Sequence, residues 1–377
     1  MPTTRPENRT GKRLLFTPGP LTTSPTVREA MRVDIGSWDR DCIDLVADIR
    51  SRLLQLAGGR DDLTCIPIPG SGTTGVEAML GTAVPRDGKL LVLINGAYGR
   101  RMALMADRMG MAHRCHVDPE NQPHDPAELA RLLEEDRSIS HVAVVHCETT
   151  SGLLNPLREI GLAVARSGRR FLVDAISSFG AYAVGAGQPI DFDAGPIDYL
   201  VVSANKAIEG VPGCAFVLAR IEAIRRCEGN SRSFSLDLYD QWQHMHESGL
   251  FRYTPPTHVL LAFRQALVEM QEEGGIESRA ARYRENHRLL NEGMRRLGFR
   301  EYIRPEHQSH VITAYHHPHK DFDFRRFYDR LHAKGYIIYP GKVTEVDTFR
   351  IANIGHVGPD EVRGLLAAIE EVVAEGI

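Results

Sequence analysis

Six short, nearly continuous apolar runs lie between residues 63 and 220, and they constrain the fold more than any other feature of the chain. They are LTCIPI (63–68), KLLVLIN (89–95), HVAVVHC (141–147), RRFLVDA (169–175), DYLVVSA (198–204) and CAFVLAR (214–220). Amphipathic segments at 98–110, 125–136 and 157–167 separate several of them. A strand that is apolar on both faces has to be covered on both faces. The pattern therefore predicts an α/β domain, a mostly parallel sheet between crossover helices. The last two runs follow each other too closely for a helical crossover, which predicts that part of the sheet is antiparallel.

After about residue 235 the pattern changes. Long helices are predicted at 257–273 and 275–297, then strands near 310–315, 335–339 and 348–353 with helices at 321–334 and 358–374. This is the signature of a smaller α+β domain, and 377 residues exceed one ordinary core. The expected division is a tail at 1–13, a large domain with its N-terminal segment at 14–250, and a small C-terminal domain at 251–377 preceded by connecting helices.

Charge and composition narrow the partners. Net charge is −4 and no block of like charge invites nucleic acid. No apolar run reaches membrane-spanning length, and the polar start MPTTRPENRTGKR has no apolar core of a signal peptide. Six cysteines without a CxxC pair suit a reducing, cytoplasmic setting. The histidines of AYHHPHK (314–320) are contiguous beside a proline, so the expectation there is a solvated loop and no metal site.

Three elements carry chemistry. Gly70-Ser71-Gly72-Thr73-Thr74-Gly75 follows one strand and opens a helix, and it matches a dinucleotide fingerprint letter for letter. The acidic residue that should follow the next strand is missing, because that strand ends in Asn95-Gly96. What survives is a helix N-terminus with Ser71 and Thr73 hydroxyls, suited to one phosphate; the bland reading is a tight turn. Asp174 ends a run so apolar that its carboxylate needs a cation, unless it only caps the turn at Ser177 or Ser178. Lys206 stands just past a later strand, where burial would make its amine a nucleophile, although a lysine there is commonly just exposed. Together they supply what pyridoxal phosphate (PLP) requires: a phosphate cradle, an acid that keeps the ring nitrogen protonated, and a lysine for the aldehyde.

Longer stretches point the same way. LLFTPGPLTTS (14–24), GSGTTGVEAML (70–80), NGAYGRRM (95–102), CETTSGLLNP (147–156), DAISSFG (174–180), SRSFSLDLY (231–239), YTPPTH (253–258) and YPGK with EVDTFRIANIG (339–355) are quoted from the chain. The sequence resembles the 2-aminoethylphosphonate–pyruvate transaminases, a class V family of PLP-dependent aminotransferases, over nearly its whole length. The likeness implies a fold-type-I architecture, with a mostly parallel seven-stranded-type sheet and a smaller C-terminal α+β domain. It implies Lys206 and Asp174 as catalytic residues, with Ser71, Gly72, Thr73 and Ser203 around the cofactor phosphate. Tyr98 would stack on the ring and Thr149 would lie near its 3-hydroxyl. Thr254 would reach the phosphate of a partner subunit, giving a homodimer with shared sites. Arg350 would take the carboxylate of pyruvate, with Arg232 a second candidate for the phosphonate. The substrates implied are 2-aminoethylphosphonate and pyruvate, with phosphonoacetaldehyde and L-alanine as products. The alternatives are an alanine–glyoxylate or serine–pyruvate type aminotransferase and, in another class, a PLP lyase of the cysteine-desulfurase kind. The lyase needs a mobile, reactive cysteine, for which Cys227 is the one loop candidate.

Overall fold

Burial gathers the apolar runs into one sheet. In the computed structural model, which describes residues 13–193 and 195–376, the six expected strands form as Leu63–Gly70, Lys89–Ile94, Ile139–Val145, Arg170–Asp174, Tyr199–Ser203 and Gly213–Arg220. All but Arg13 of the expected tail lies outside the described residues. A seventh strand, His113–Val117, pairs with Lys89–Ile94 at one edge. Its sequence HRCHV is only partly buried, so it carries none of the apolar signal of a central strand.

The order across the sheet is 63–70, 213–220, 199–203, 170–174, 139–145, 89–94, 113–117. Gly213–Arg220 runs antiparallel to both neighbours, and every other adjacent pair is parallel. The antiparallel portion thus falls where the short connection demands it. Two strands flanking one antiparallel strand point the same way, so the loops after residues 70, 94, 145, 174 and 203 all leave one end of the sheet. That end is where open α/β sheets bind ligands.

One face of the sheet packs on helices Arg40–Leu56, Pro126–Glu135, Leu157–Arg166 and Thr257–Glu272, through residues such as Ile49, Leu132, Ile160 and Phe263. The other packs on Gly72–Ala83 and Ala97–Arg108, through Met79, Leu80, Met102 and Ala106. Among the described residues no helix is long and apolar enough to cross a membrane.

The C-terminal part has its own antiparallel sheet, ordered 312–316, 348–352, 339–340, under helices Gly275–Arg296, Phe324–Ala333 and Pro359–Ala374. Its core joins Leu290, Phe299, Phe327, Phe349 and Ile369. Contacts cross the expected boundaries in two places. Helix Thr257–Glu272, assigned from sequence to the C-terminal part, stacks Phe263 on Phe216 of the large sheet, with ring centroids 4.6 Å apart. Conversely Leu14–Leu15 pairs with Tyr336–Ile337, and Phe16 enters the C-terminal core. The physical reason is that apolar area is covered by whatever surface is near in space, whatever its sequence position. In the histidine-rich segment, Pro318–Lys320 is exposed, whereas His317 packs on the rings of Phe322 and Phe349.

Candidate active site

The loops leaving the carboxyl end of the sheet enclose a cavity of about 200 Å³. Ser71, Gly72 and Thr73 line it at one end; Asp174, Ser203 and Lys206 line its floor; Tyr98 and Cys147 complete the wall. Three groups drawn from separate parts of the sequence therefore meet in one place.

Ser71 is the N-cap of helix Gly72–Ala83, whose first N–H groups have no carbonyl partner within the helix. Ser203 is buried, and its hydroxyl donates to Asn205 Oδ1 at 2.7 Å. A cation completes this end, since Arg101 donates from Nη1 to Thr73 Oγ1 at 2.9 Å and lines the cavity. Helix end, hydroxyls and guanidinium together suit a phosphate.

Asp174 is the last residue of its strand and is 7% exposed. Its Oδ1 accepts from Ile176 N at 3.0 Å, so it does hold its own turn, though at Ile176 and not at the two serines expected. Burial pushes its carboxyl up to about 6, and the neighbouring Glu148 adds to that, against the pull of Lys206 and Arg101. Such an acid is poised to share a proton with a basic ring nitrogen. Burial likewise lowers the Lys206 ammonium to about 8, although Asp174 favours its charged form. Near neutrality this lysine gives up its proton far more readily than an exposed one.

The lysine is held by a network behind it. Glu209 adopts a left-handed φ of 68°. Its carboxylate accepts from Arg282 at 2.8 Å and from the Tyr283 hydroxyl at 2.6 Å. Arg279, 2% exposed, donates to the Ala207 carbonyl at 3.0 Å. In front, a Cβ on Gly19 would stand 2.9 Å from Lys206 Nζ, so the Thr17–Pro20 segment can lie on the lysine only because that residue is glycine.

Tyr98 opens helix Ala97–Arg108 and donates its N–H to Glu148 Oε2 at 3.1 Å. Glu148 is fully buried, which raises its carboxyl. The next residue, Thr149, has a buried hydroxyl without a hydrogen-bond partner, an orphan that a ligand hydroxyl would satisfy. Arg350 comes from the small sheet and is 5% exposed. It donates from Nε to the Pro340 carbonyl at 2.9 Å and from Nη1 to the Thr149 carbonyl at 2.8 Å. Among the described residues no carboxylate lies within ion-pair distance of it.

Of the expected residues, Thr149, Arg232, Thr254 and Arg350 do not line the cavity, and Thr254 was expected to serve the partner subunit's site. Thr254 is exposed on the surface and does not line the cavity. Arg232 donates to the carbonyls of Val84 and Pro85, at 2.6 and 3.3 Å, just beyond helix Gly72–Ala83. There it satisfies helix-end carbonyls and is spent as a C-terminal cap. Cys227 is 5% exposed with its thiol raised by burial, unlike the mobile thiolate a desulfurase needs. Nothing in the sequence marks out Arg101, Glu148 or Lys342. All three sit in the quoted segments NGAYGRRM, CETTSG and YPGK, where only the neighbouring Tyr98 and Thr149 drew notice.

Comparison with known proteins agrees with this geometry. The family described as Aminotransferase class-V matches residues 43–336. The chain is 47% identical over 364 residues to the 2-aminoethylphosphonate–pyruvate transaminase of Pseudomonas fluorescens (strain Pf0-1), covering 96% of this chain and 97% of that protein. It is 50% identical to the enzyme of the same name from Syntrophobacter fumaroxidans, covering 96% of each. Among solved structures, alanine–glyoxylate aminotransferase from Nostoc sp. superposes with a TM-score of 0.89 at 25% identity, over 98% of each chain. Ureidoglycine–glyoxylate aminotransferase from Bacillus subtilis gives 0.89 at 24% identity, over 98% of this chain and 95% of that one. The chain belongs to the class V aminotransferases.

Proposed function

We propose that the protein is a PLP-dependent transaminase that moves the amino group of 2-aminoethylphosphonate to pyruvate, giving phosphonoacetaldehyde and L-alanine. The observation that carries the reading is that Lys206 and Asp174 line one cavity, while a buried Arg350, without a carboxylate partner among the described residues, is close enough to depress the Lys206 ammonium. The choice of donor is supported by the relatives of that name at 47–50% identity.

When bound, PLP supplies an aldehyde that captures the amine and a protonated ring that accepts the electron pair left when the amine-bearing carbon loses a proton. Everything else falls to the protein. Ser71, Gly72, Thr73, Ser203 and Arg101 hold the phosphate. Asp174 would keep a proton on the ring nitrogen, and Tyr98 and Thr149 would contact the ring. The Lys206 amine, once free, would take the proton from the amine-bearing carbon and return it to the carbon on the far side of the nitrogen. Arg350 orients the acidic group of each substrate in turn. One site serving two substrates alternately predicts ping-pong kinetics.

The surface supports a homodimer. Trp38 is 82% exposed and Phe234 79%, and Phe234 lies 6.0 Å from the ring of exposed Tyr253, next to Thr254. Large apolar groups left in water beside an expected shared loop are suited to a partner. Thr254 of the partner subunit would complete the phosphate site.

The test is kcat/KM for 2-aminoethylphosphonate beside β-alanine, taurine, serine and alanine with a fixed keto acid. Preference for the phosphonate supports the reading. If serine or alanine with glyoxylate is turned over best and the phosphonate is ignored, the alanine–glyoxylate type stands instead.

A further inference from the structure

Arg350 has company beside Tyr98, which lines the cavity. Tyr339 pairs with Arg350 and Pro340 with Phe349, and the chain then turns at Gly341. A Cβ on Gly341 would lie 2.1 Å from the Thr348 carbonyl oxygen, so the turn passes where only glycine fits. This turn delivers Lys342, whose Nζ stands 4.8 Å from the centre of the Tyr98 ring. Two residues on, Thr344 donates its N–H to buried Glu120 at 2.7 Å, and Glu120 is paired with Arg100. The segment bearing Lys342 is thus fastened on both sides.

Three cations gather about one phenol. The Arg101 guanidinium is 4.9 Å from the Tyr98 ring centre, and Arg350 interacts with the same side chain. Among the described residues none of the three has a carboxylate within ion-pair distance, and Lys342 has no hydrogen-bond partner. Arg101 and Arg350 are each anchored to the protein, on Thr73 and on two carbonyls; Lys342 is held by no such hydrogen bond and stands over the Tyr98 ring. Burial and the two arginines lower its ammonium. Glu148 lies near enough to favour the charged forms of Lys342 and Arg350 but forms an ion pair with neither, and like charges so held together suit a multiply charged anion that arrives from outside.

We propose that Lys342 is the residue that selects a phosphonate: with Arg350 it grips the dianionic head of the donor, whereas Arg350 alone serves the single carboxylate of alanine or pyruvate. This deepens the reading given under Proposed function and rests on it. The geometry of the anions supplies the reason. A planar carboxylate matches one edge of a guanidinium with both its oxygens. A tetrahedral phosphonate offers two oxygens to that edge and projects a third, with the second charge, away from it. A flexible point cation beside Tyr98 is what the third oxygen requires.

The experiment compares wild-type holoenzyme with Lys342→Met and Lys342→Arg. One arm measures kcat/KM for 2-aminoethylphosphonate relative to alanine; the other measures binding of methylphosphonate relative to acetate by calorimetry. Loss of one charge-assisted contact should lower both ratios by about tenfold or more in Lys342→Met. Lys342→Arg, which keeps the charge, should retain most of each. Ratios within about twofold of wild type for Lys342→Met, or equal losses in both variants, would overturn the assignment. If the wild-type enzyme ignores 2-aminoethylphosphonate, the donor reading fails, and the methylphosphonate ratio still decides whether Lys342 prefers a phosphonate.

Discussion

Arg350 reaches from the small sheet to the Thr149 carbonyl of the large domain, Nη1 to oxygen in 2.8 Å. One side chain therefore ties the two parts of the molecule together. Arg350→Ala should lower kcat/KM in both half-reactions by about 3 kcal/mol, since a buried charge-assisted contact is lost in each. Arg350→Lys should recover little of it, because an ammonium cannot hold Pro340, Thr149 and a carboxylate together. Single-turnover kinetics of the two half-reactions check both statements.

Lys206 should be the sole lysine fixed to the cofactor by borohydride, and Lys206→Ala should bind PLP without turning over. Its amine titrates near 8 in the folded chain. Uptake of PLP by cofactor-free protein should therefore quicken as pH rises through about 8 and level off above it. Peptide mapping after reduction, and absorbance on mixing at a series of pH values, are the measurements. Labelling of another lysine would remove the assignment.

Asp174 should set a pH-dependent stability in the cofactor-free protein. Its carboxyl lies at about 6 folded against 3.8 ordinarily, so the folded state binds the extra proton between those values. Stability is then highest below that window and falls as pH rises through it, by up to about 3 kcal/mol. Asp174→Asn should flatten this slope, raise the Tm of the cofactor-free protein at neutral pH, and lose most activity. Thermal unfolding across pH, alongside assays of both proteins, tests the pair of effects.

Arg232→Ala should cost about 1 kcal/mol of stability, the value of a helix-end hydrogen bond, with no preference between substrates. Its side chain is taken up by the Val84 and Pro85 carbonyls. A selective loss with the phosphonate donor would show that it reaches substrate after all.

Phe234→Ser or Trp38→Ser should weaken self-association, and the wild type should sediment as a dimer. Mixing Lys206→Ala with a Thr254→Ala chain should give hybrids with one intact site and partial activity. An active wild-type monomer in sedimentation would end the proposal of shared sites.

Several of these residues were legible before any coordinates. Asp174 and Lys206 stand where apolar strands stop, and a charge at the end of such a run signals itself through the cost of burying it. Ser71 and Thr73 are legible through helix-start chemistry. SRSFSLDLY identifies relatives without saying what each of its side chains does, and Arg232 lies on the Val84 and Pro85 carbonyls. Arg101 and Lys342 went unnoticed because an arginine on an amphipathic helix and a lysine after a turn look like solvated surface. Only their shared approach to Tyr98 distinguishes them.

The sequence by itself determined the layered α/β architecture, the place of its antiparallel strand and the residues that close the ends of its strands. Those follow from local rules: apolar periodicity, connection length, and helix caps. The tertiary structure decided what meets what. It put Phe16 into the C-terminal core, set Phe263 against the large sheet, and brought Arg350 and Lys342 to Tyr98, a residue that lines the cavity. Each of those contacts joins residues far apart in sequence. Their formation depends on how two packed surfaces cover each other's apolar area, a property of the assembled molecule that no single segment encodes.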